Sequence, residues 1–203
     1  MAESPTGATK PAYTKAAFSR QSFISMPLPK IEKTEILAQS RFFQIEAMHL
    51  TFSNGEARVY ERLPAVGEQG VIVVAVNDND ELLLIREYAA GFHEFQLTLP
   101  KGAADKGEAL EAAAARELAE EVGFGAREVQ FVKRLSIAPG HMGFTINVMM
   151  AKDLYPHQLP ADEPEPPELV LWPLSKIDEL IARDDFCEAR AIAALTLCLP
   201  QLR

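Results

Sequence analysis

The sequence lacks the features that identify disulfide-rich, membrane-spanning and secreted proteins. Only two of its 203 residues are cysteine, which excludes a disulfide framework, and we interpret Cys187 and Cys198 as reduced core thiols. No apolar run approaches the ~18 residues of a membrane span, because proline and glycine break the longest uncharged stretch, residues 135–151. The apolar core of a signal peptide is also missing. We therefore expect a cytoplasmic protein without a membrane partner.

Positive charge is scarce as well. Lys and Arg number 20 against 29 Asp and Glu, giving a net charge of −9, which excludes a protein that holds nucleic acid through a basic surface. A small phosphorylated substrate stays compatible with this charge, because a bound metal ion can invert the local potential. With 48% hydrophobic and 24% charged residues, the composition is that of one globular domain, or one domain with an appendage.

Composition and patterning divide the chain into three segments. Residues 1–34 are rich in Ser, Thr, Ala, Pro and Lys, and we expect a flexible leader, with a transit peptide or a strap on a partner subunit as alternatives. Residues 35–65 alternate apolar and polar side chains on both sides of Ser53-Asn54-Gly55, which predicts a β-hairpin. Residues 66–203 then form the main domain.

Strand and helix patterns alternate in the main domain. A helix is predicted over residues 108–122, where strong helix formers precede Gly123 as the C-cap. Strands are predicted over residues 70–76, 82–85, 129–137, 145–151 and 169–172, with helices from about Ser175 and from Asp185. This order predicts an α+β sandwich with a mixed sheet flanked by helices.

Three carboxylates crowd the end of the predicted helix. Glu117, Glu120 and Glu121 fall within an arc of about 100° on one face. The adjoining face, expected to pack on the sheet, carries Leu118, Val122 and Ala115. Clustered acids repel one another and oppose the helix dipole, so a multivalent cation would stabilise them, and oxygen ligands suit Mg²⁺ or Mn²⁺. A solvated acidic face is the alternative.

The residues around this cluster carry a long motif. Gly102 is followed after five residues by Glu108, and after seven more by the run Arg116-Glu117-Leu118-Ala119-Glu120-Glu121-Val122-Gly123-Phe124. This pattern resembles the Nudix box at every fixed position. The resemblance implies a Nudix α/β/α sandwich over residues 66–203, an added antiparallel N-terminal region at 35–65, and hydrolysis of a nucleoside diphosphate linked to a second group.

The resemblance also implies roles for the residues of the motif. Glu117 and Glu121 would bind the metal directly, Glu120 would be a further ligand with a catalytic role, and the backbone carbonyl of Lys101 is another candidate. Arg116, also placed among the catalytic residues, would pair with Glu108 and hold the loop in shape. The structural positions of the box are Gly102, Glu108 and Gly123.

Residues outside the box narrow the substrate class. Pro139 stands sixteen residues beyond Gly123, a spacing similar to that of ADP-ribose pyrophosphatases, although a simple turn is the alternative. Further resemblance to members acting on ADP-ribose, adenosine dinucleotides and NADH lies in residues 52–55, 58–62, 85–89, 120–126, 153–156, 162–166 and 172–174. That group implies release of AMP, and a homodimer in which N-terminal strands help to build each site.

Two positions depart from the ADP-ribose enzymes and argue against strict specificity for ADP-ribose. Thr98 stands where they have an acid, and Ala89 where they have an arginine. We expect the general base in the acidic loop, with Glu163 as the first choice and Glu165 as the reserve. Candidate phosphate-binding residues are Arg62, Arg86 and Arg134, and candidate adenine-stacking residues are Tyr60, Tyr88 and Phe43.

Two alternatives stay open. One is a diphosphatase for another nucleotide sugar or for a dinucleoside polyphosphate. The other is a ligand-sensing Nudix module without turnover, which the intact acids and the lack of a basic patch disfavour.

Overall fold

The computed structural model describes residues 27–65, 69–161 and 164–202. Its strands are β1 Lys30–Gln39, β2 Gln44–Thr51, β3 Ala57–Arg62, β4 Gly70–Ala75, β5 Glu81–Ala89, β6 Glu94–Thr98, β7 Lys101–Ala103, β8 Phe124–Ser136, β9 Thr145–Pro156 and β10 Glu168–Pro173. The helices are α1 Leu110–Glu121, α2 Ile177–Ile181 and α3 Ala189–Leu202, and a 3₁₀ turn, Leu174–Lys176, precedes α2. None of the helices in these ranges is long and apolar enough to cross a bilayer.

The N-terminal region is an antiparallel sheet in the order β1-β2-β3. The predicted hairpin at Asn54-Gly55 is confirmed, because Gly55 has φ +85° and its N–H donates to the carbonyl of Phe52 at 2.9 Å. Strand β1 already begins at Lys30, where it pairs with Thr51, so residues 30–34 are a strand and not part of a flexible leader as expected. Residues 1–26 of that leader lie outside the described residues.

The main domain has two sheets, with strand orders β10-β5-β6 and β7-β4-β9-β8. The second sheet is mixed, since β4 pairs with β9 in parallel and with β7 antiparallel. Side chains along β4 alternate, so that Val71 and Val73 pack with α1 while Ile72 and Val74 pack with α2 and α3. Helices therefore cover both sides of the sheets, and the predicted sandwich class is confirmed.

Several local expectations change in the structure. The turn at residues 77–80 forms, but β4 and β5 lie in different sheets, with a single bridge between Val76 and Leu82. Helix α1 starts at Leu110, two residues later than predicted. Its buried alanines are Ala113, Ala114 and Ala119, and not the predicted Ala115. Cys198 is a buried free thiol as expected, whereas Cys187, in the segment before α3, is exposed and not a core thiol.

Candidate active site

Arg116 connects the loop before α1 with the carboxylates at its end. Its Nε and Nη2 donate to the two oxygens of Glu108 at 3.2 and 3.1 Å, which is the predicted bidentate pair. Nη1 donates to Glu117 at 2.9 Å and Glu120 at 2.8 Å, and Nη2 also donates to the carbonyl of Ala103 at 2.7 Å. Hydrogen bonds from Arg116 hold the pKa of Glu108 below its usual range. One guanidinium therefore fixes both the loop and the acidic face.

Glu117 lies against the backbone of the strand that precedes the helix. A β-carbon at position 102 would overlap the Glu117 carboxylate, so any larger residue there would have to displace that carboxylate from its place beside Arg116. Glu117 is 7% exposed, which is rare for a carboxylate without a charged partner, and Arg116 supplies that partner. The glycine of the box thus makes space for an acid of the same motif.

Glu121 is buried to the same extent as Glu117, at 7% exposed. Its Oε2 accepts a hydrogen bond from the backbone N–H of Lys101 at 2.9 Å, which joins α1 to β7. Burial raises the pKa of Glu121 to about 8, against the opposing effect of the Lys101 hydrogen bond and charge. A buried carboxyl with a raised pKa has lost hydration, and a multivalent cation would restore the stability of its charged form.

The end of α1 is closed by the segment that follows β9. Gly123 has φ +74°, and a β-carbon there would also meet the side-chain oxygen of Gln158. The Gln158 amide donates to the carbonyls of Ala119 and Glu120 at 3.1 and 3.2 Å, and the N–H of Leu159 donates to Ala119 at 3.0 Å. These donors satisfy carbonyls that the last helical turn leaves free, so this end of the helix is held in place.

A cavity of about 700 Å³ opens beside Glu121. It is lined by Arg86, Glu87, Tyr88, Phe95, Glu121, Pro164, Glu165, Pro166, Pro167 and Glu168. Four residues named from the sequence, Arg86, Tyr88, Glu121 and Glu165, are therefore brought together on its wall. The first candidate for the general base, Glu163, lies outside the described residues.

Other candidates lie away from this cavity within the described part of the chain. Arg62 donates to Glu46 at 2.7 Å in the N-terminal sheet, and Tyr60 packs near Phe52 with ring centroids 6.2 Å apart. Phe43 is 59% exposed next to β2. Arg134 and Pro139 are exposed on β8 and on the loop after it. The chain by itself does not join these residues to the cavity lined by Glu121.

The acidic face has the donor chemistry of a divalent metal site. In residues 27–65, 69–161 and 164–202, no three His, Cys, Asp or Glu side chains are grouped so that they could already hold a metal ion. The oxygens of Glu117 and Glu120 instead accept hydrogen bonds from Arg116. The room that Gly102 leaves for Glu117 and the carboxylate-only donor set nevertheless fit Mg²⁺ or Mn²⁺.

Comparisons with known proteins decide the family. The NUDIX domain family matches residues 68–194, and the NudE-type Nudix hydrolase N-terminal domain matches residues 29–62. The chain belongs to the Nudix hydrolase family. ADP compounds hydrolase NudE of Escherichia coli (strain K12) is 46% identical over 173 residues, which cover 85% of this chain and 92% of that protein. An ADP-ribose pyrophosphatase of Bacillus subtilis (strain 168) is 29% identical over 101 residues, covering 50% of this chain and 54% of that protein.

A solved structure agrees with the family assignment. The crystal structure of an ADP compounds hydrolase matches this Nudix hydrolase with a TM-score of 0.83 and 46% identity. The match covers 88% of this chain and 96% of that chain. Both the Nudix core and the added N-terminal strands therefore have a counterpart of known structure.

Sequence reasoning missed a polar network beside the box of this Nudix hydrolase. The Lys101 ammonium contacts Glu87 on β5 and lies 3.7 Å from Glu188, immediately before α3. Glu188 also accepts a hydrogen bond from the hydroxyl of Thr98 at 2.8 Å. From the sequence, Thr98 is only a departure from the ADP-ribose enzymes, which have an acid there. The sequence held no signal for these contacts, because the three strands β8, β9 and β10, the 3₁₀ turn and α2 separate Glu188 from the box.

Proposed function

We propose that this Nudix hydrolase cleaves the diphosphate linkage of ADP-linked compounds and releases AMP. ADP-ribose, adenosine dinucleotides and NADH are the proposed substrates. The observation that carries the proposal is the shared cavity, in which Glu121 of the box lies on the same wall as Arg86 and Tyr88. The names of the relatives support the same substrate class, since one is an ADP compounds hydrolase and another is an ADP-ribose pyrophosphatase.

A divalent cation is part of this proposal. The cavity wall carries four carboxylates and one arginine, so a diphosphate would meet net negative charge without a bridging cation. Glu117, Glu120 and Glu121 would hold Mg²⁺, or Mn²⁺ in its place, with the carbonyl of Lys101 as a further ligand. When bound, the ion would neutralise the diphosphate and activate the attacking water.

Arg86 is the proposed phosphate contact of the described chain. Its Nη1 lies 3.3 Å from Asp185 and its Nε lies 3.3 Å from Glu168, so the guanidinium is held at the wall while its remaining N–H groups stay available. Tyr88 is 52% exposed and presents an aromatic ring at the same cavity. A nucleobase stacked on that ring would place the attached phosphates toward Arg86 and Glu121.

The general base is proposed in the acidic loop between β9 and β10. Glu163 is the first candidate, and Glu165, two residues along the chain, lines the same cavity as Glu121 of the box. A carboxylate within hydrogen-bond reach of the attacking water would accept its proton as the bond to phosphorus forms. The loop is anchored on both sides, at Leu159 by α1 and at Glu168 by pairing with Arg86 of β5.

A homodimer is proposed as the functional unit. The N-terminal region leaves large apolar side chains exposed, among them Ile31, Ile36, Phe42, Phe43, Val59 and Tyr60. Exposed apolar side chains concentrated in one region of the chain are typical of a subunit interface. Within one chain, the predicted substrate-binding residues Tyr60, Phe43 and Arg62 do not line the cavity. In a dimer, they would be available to the site of the second subunit and could bind substrate there. A cytoplasmic location and the absence of nucleic-acid partners stay predictions.

The test is AMP release from ADP-ribose, diadenosine diphosphate, NADH and ADP-glucose, with and without Mg²⁺. We expect Mg²⁺-dependent release that falls by at least about 10²-fold in Glu121→Gln. Glu111→Gln, in the exposed first turn of α1, is the matched control and should keep full activity. Binding of these compounds without cleavage would instead support the sensing module, and a preference for ADP-glucose would support a nucleotide-sugar diphosphatase.

A further inference from the structure

The Lys101 side chain is clamped inside the protein by two acids from distant parts of the chain. Its ammonium contacts Glu87 of β5 and lies 3.7 Å from Glu188, which precedes α3. The Lys101 side chain is 12% exposed, so the charge has little access to solvent. Lysine is rarely buried to this extent without charged partners, and here two carboxylates provide them.

Glu188 is itself fixed from other directions. The hydroxyl of Thr98 donates to its Oε2 at 2.8 Å, and the guanidinium of Arg190 contacts its Oε1. Its side chain is 17% exposed. Both oxygens of Glu188 are therefore engaged, and the acid that receives the Lys101 ammonium has a defined position.

The backbone of the same lysine contacts the acidic face. The N–H of Lys101 donates to Glu121 at 2.9 Å, and the next residue, Gly102, abuts the carboxylate of Glu117. Only three residues, Lys101–Ala103, form β7, and they follow directly on the passage of the chain from one sheet to the other. The three residues pair with β4, and flanking bonds join Val73 to Pro100 and Ala104 to Gln69. All of these bonds lie along the β4 edge, so a side-chain anchor toward β5 and α3 adds a restraint from another direction.

We propose that Lys101 is a positioning residue whose ammonium, held between Glu87 and Glu188, sets the backbone that orients Glu117 and Glu121 toward a divalent cation. The inference rests on the proposed function for the presence of that cation. It assigns the lysine side chain a role apart from the carbonyl of the same residue. It also gives Thr98 and Glu188 a part in the site without contact to substrate.

Electrostatics and positioning make opposite predictions for removal of the ammonium. A positive charge near the acidic face repels a cation, so charge alone predicts tighter metal binding when Lys101 is replaced by a neutral side chain. Loss of the anchor predicts weaker binding, because the carboxylates lose their orientation. The sign of the change therefore separates the two effects.

The experiment is a titration of the full-length protein with Mn²⁺, followed by the electron paramagnetic resonance signal of the free ion. We expect Lys101→Met to weaken Mn²⁺ binding by about tenfold or more, and Lys101→Arg to recover most of the loss. Lys176→Met is the control, because Lys176 is 56% exposed and far along the chain, on the turn before α2. Thermal unfolding recorded by circular dichroism shows whether each variant is folded.

Thr98→Val is the second variant, and it keeps the net charge unchanged. It removes only the hydroxyl that holds Glu188, so a loss of Mn²⁺ affinity in a folded Thr98→Val protein can arise only through position. Mn²⁺ binding by Lys101→Met equal to or tighter than that of the unsubstituted protein overturns the inference and leaves the proposed function intact. If Lys101→Met does not fold, unchanged affinity in Thr98→Val overturns it. Absence of Mn²⁺ binding by the unsubstituted protein overturns the inference together with the metal site of the proposed function.

Discussion

The carboxylate of Glu117 occupies the space that a side chain at Gly102 would fill. The two residues belong to one motif, yet one lies on β7 and the other on α1. Their contact therefore sets the distance between the strand and the helix that carries the acids. It explains in physical terms why the motif has glycine at this position, and it leads directly to a test.

Gly102→Ala should impair both activity and stability. The added methyl group has to displace the buried Glu117 carboxylate, which costs about 1–3 kcal/mol of the free energy of unfolding. We also expect kcat/KM for ADP-ribose to fall at a temperature where the variant is fully folded, so that unfolding does not account for the loss of activity. Gly140→Ala is the control, since no atom lies within 4 Å of a β-carbon there. Equal behaviour of the two variants would contradict the proposed contact.

Arg116→Lys should behave as a disruptive substitution despite its conserved charge. Arg116 donates five hydrogen bonds, to Glu108, Glu117, Glu120 and the carbonyl of Ala103. An ammonium cannot reproduce the bidentate geometry, and we expect a loss of about 1–2 kcal/mol in urea unfolding, with reduced turnover.

The control for that variant is Arg127→Lys. Arg127 pairs with Asp153 at 3.1 Å, but both side chains are more than half exposed, so the change in stability should be close to zero. An equally small change in unfolding free energy for Arg116→Lys would contradict the prediction, because it would show that the bidentate geometry of Arg116 contributes little to stability.

Asp185 should make stability depend on pH in the acid range. Hydrogen bonds from Arg183, and then from Arg86, lower its pKa from 3.8 to about 2. Because the pKa of the folded state lies below that of the unfolded state, the contribution is complete above about pH 5 and is lost as the pH falls toward 2. Since the side chain is 29% exposed, we expect roughly 1 kcal/mol.

The measurement is the difference in unfolding free energy between the unsubstituted protein and Asp185→Asn. This difference cancels the titration of the other carboxylates, and it should shrink between pH 4 and pH 2.5 while staying constant from pH 5 to 7. A difference that grows on acidification would have the wrong sign for a lowered pKa.

Replacement of the proposed general base should separate kcat from KM. Glu163→Gln removes the proton acceptor with little change in shape, so we expect kcat to fall by about 10²-fold and KM to change little. The paired variant is Glu165→Gln, whose side chain lines the same cavity. A normal kcat in Glu163→Gln with a low kcat in Glu165→Gln would transfer the role to Glu165. Normal values in both would remove the base from this loop.

Local features of this protein could be predicted from the sequence because they depend on neighbouring residues. The hairpin at Asn54-Gly55, the end of α1 shortly before Gly123 and the pair of Arg116 with Glu108 all follow from short-range patterns. The motif by itself also indicates the family. The composition of residues 1–34 predicts a leader, yet residues 30–34 belong to β1. Nearly all of β1 is exposed, so no buried face marks it in the sequence, and its pairing with β2 makes it a strand.

Relationships between distant segments could not be predicted in the same way. The turn at residues 77–80 reads as a simple hairpin, but β4 pairs with β9 and β5 pairs with β10, which are both far along the chain. The ammonium of Lys101 meets Glu188 only because these sheets stack with α3 alongside them. A pattern of apolar residues shows that a strand has a buried face, but it does not specify its neighbour.

The parallel pairing of β4 with β9 has a consequence for synthesis of the protein. Everything that forms the box, from β7 to the end of α1, lies in the crossover between these two strands. A nascent polypeptide that stops short of Thr145 already carries every acid of the box, but β4 still lacks a neighbour along one edge. Such an incomplete product would offer that edge to other chains, so we expect truncated translation products to aggregate and to be inactive.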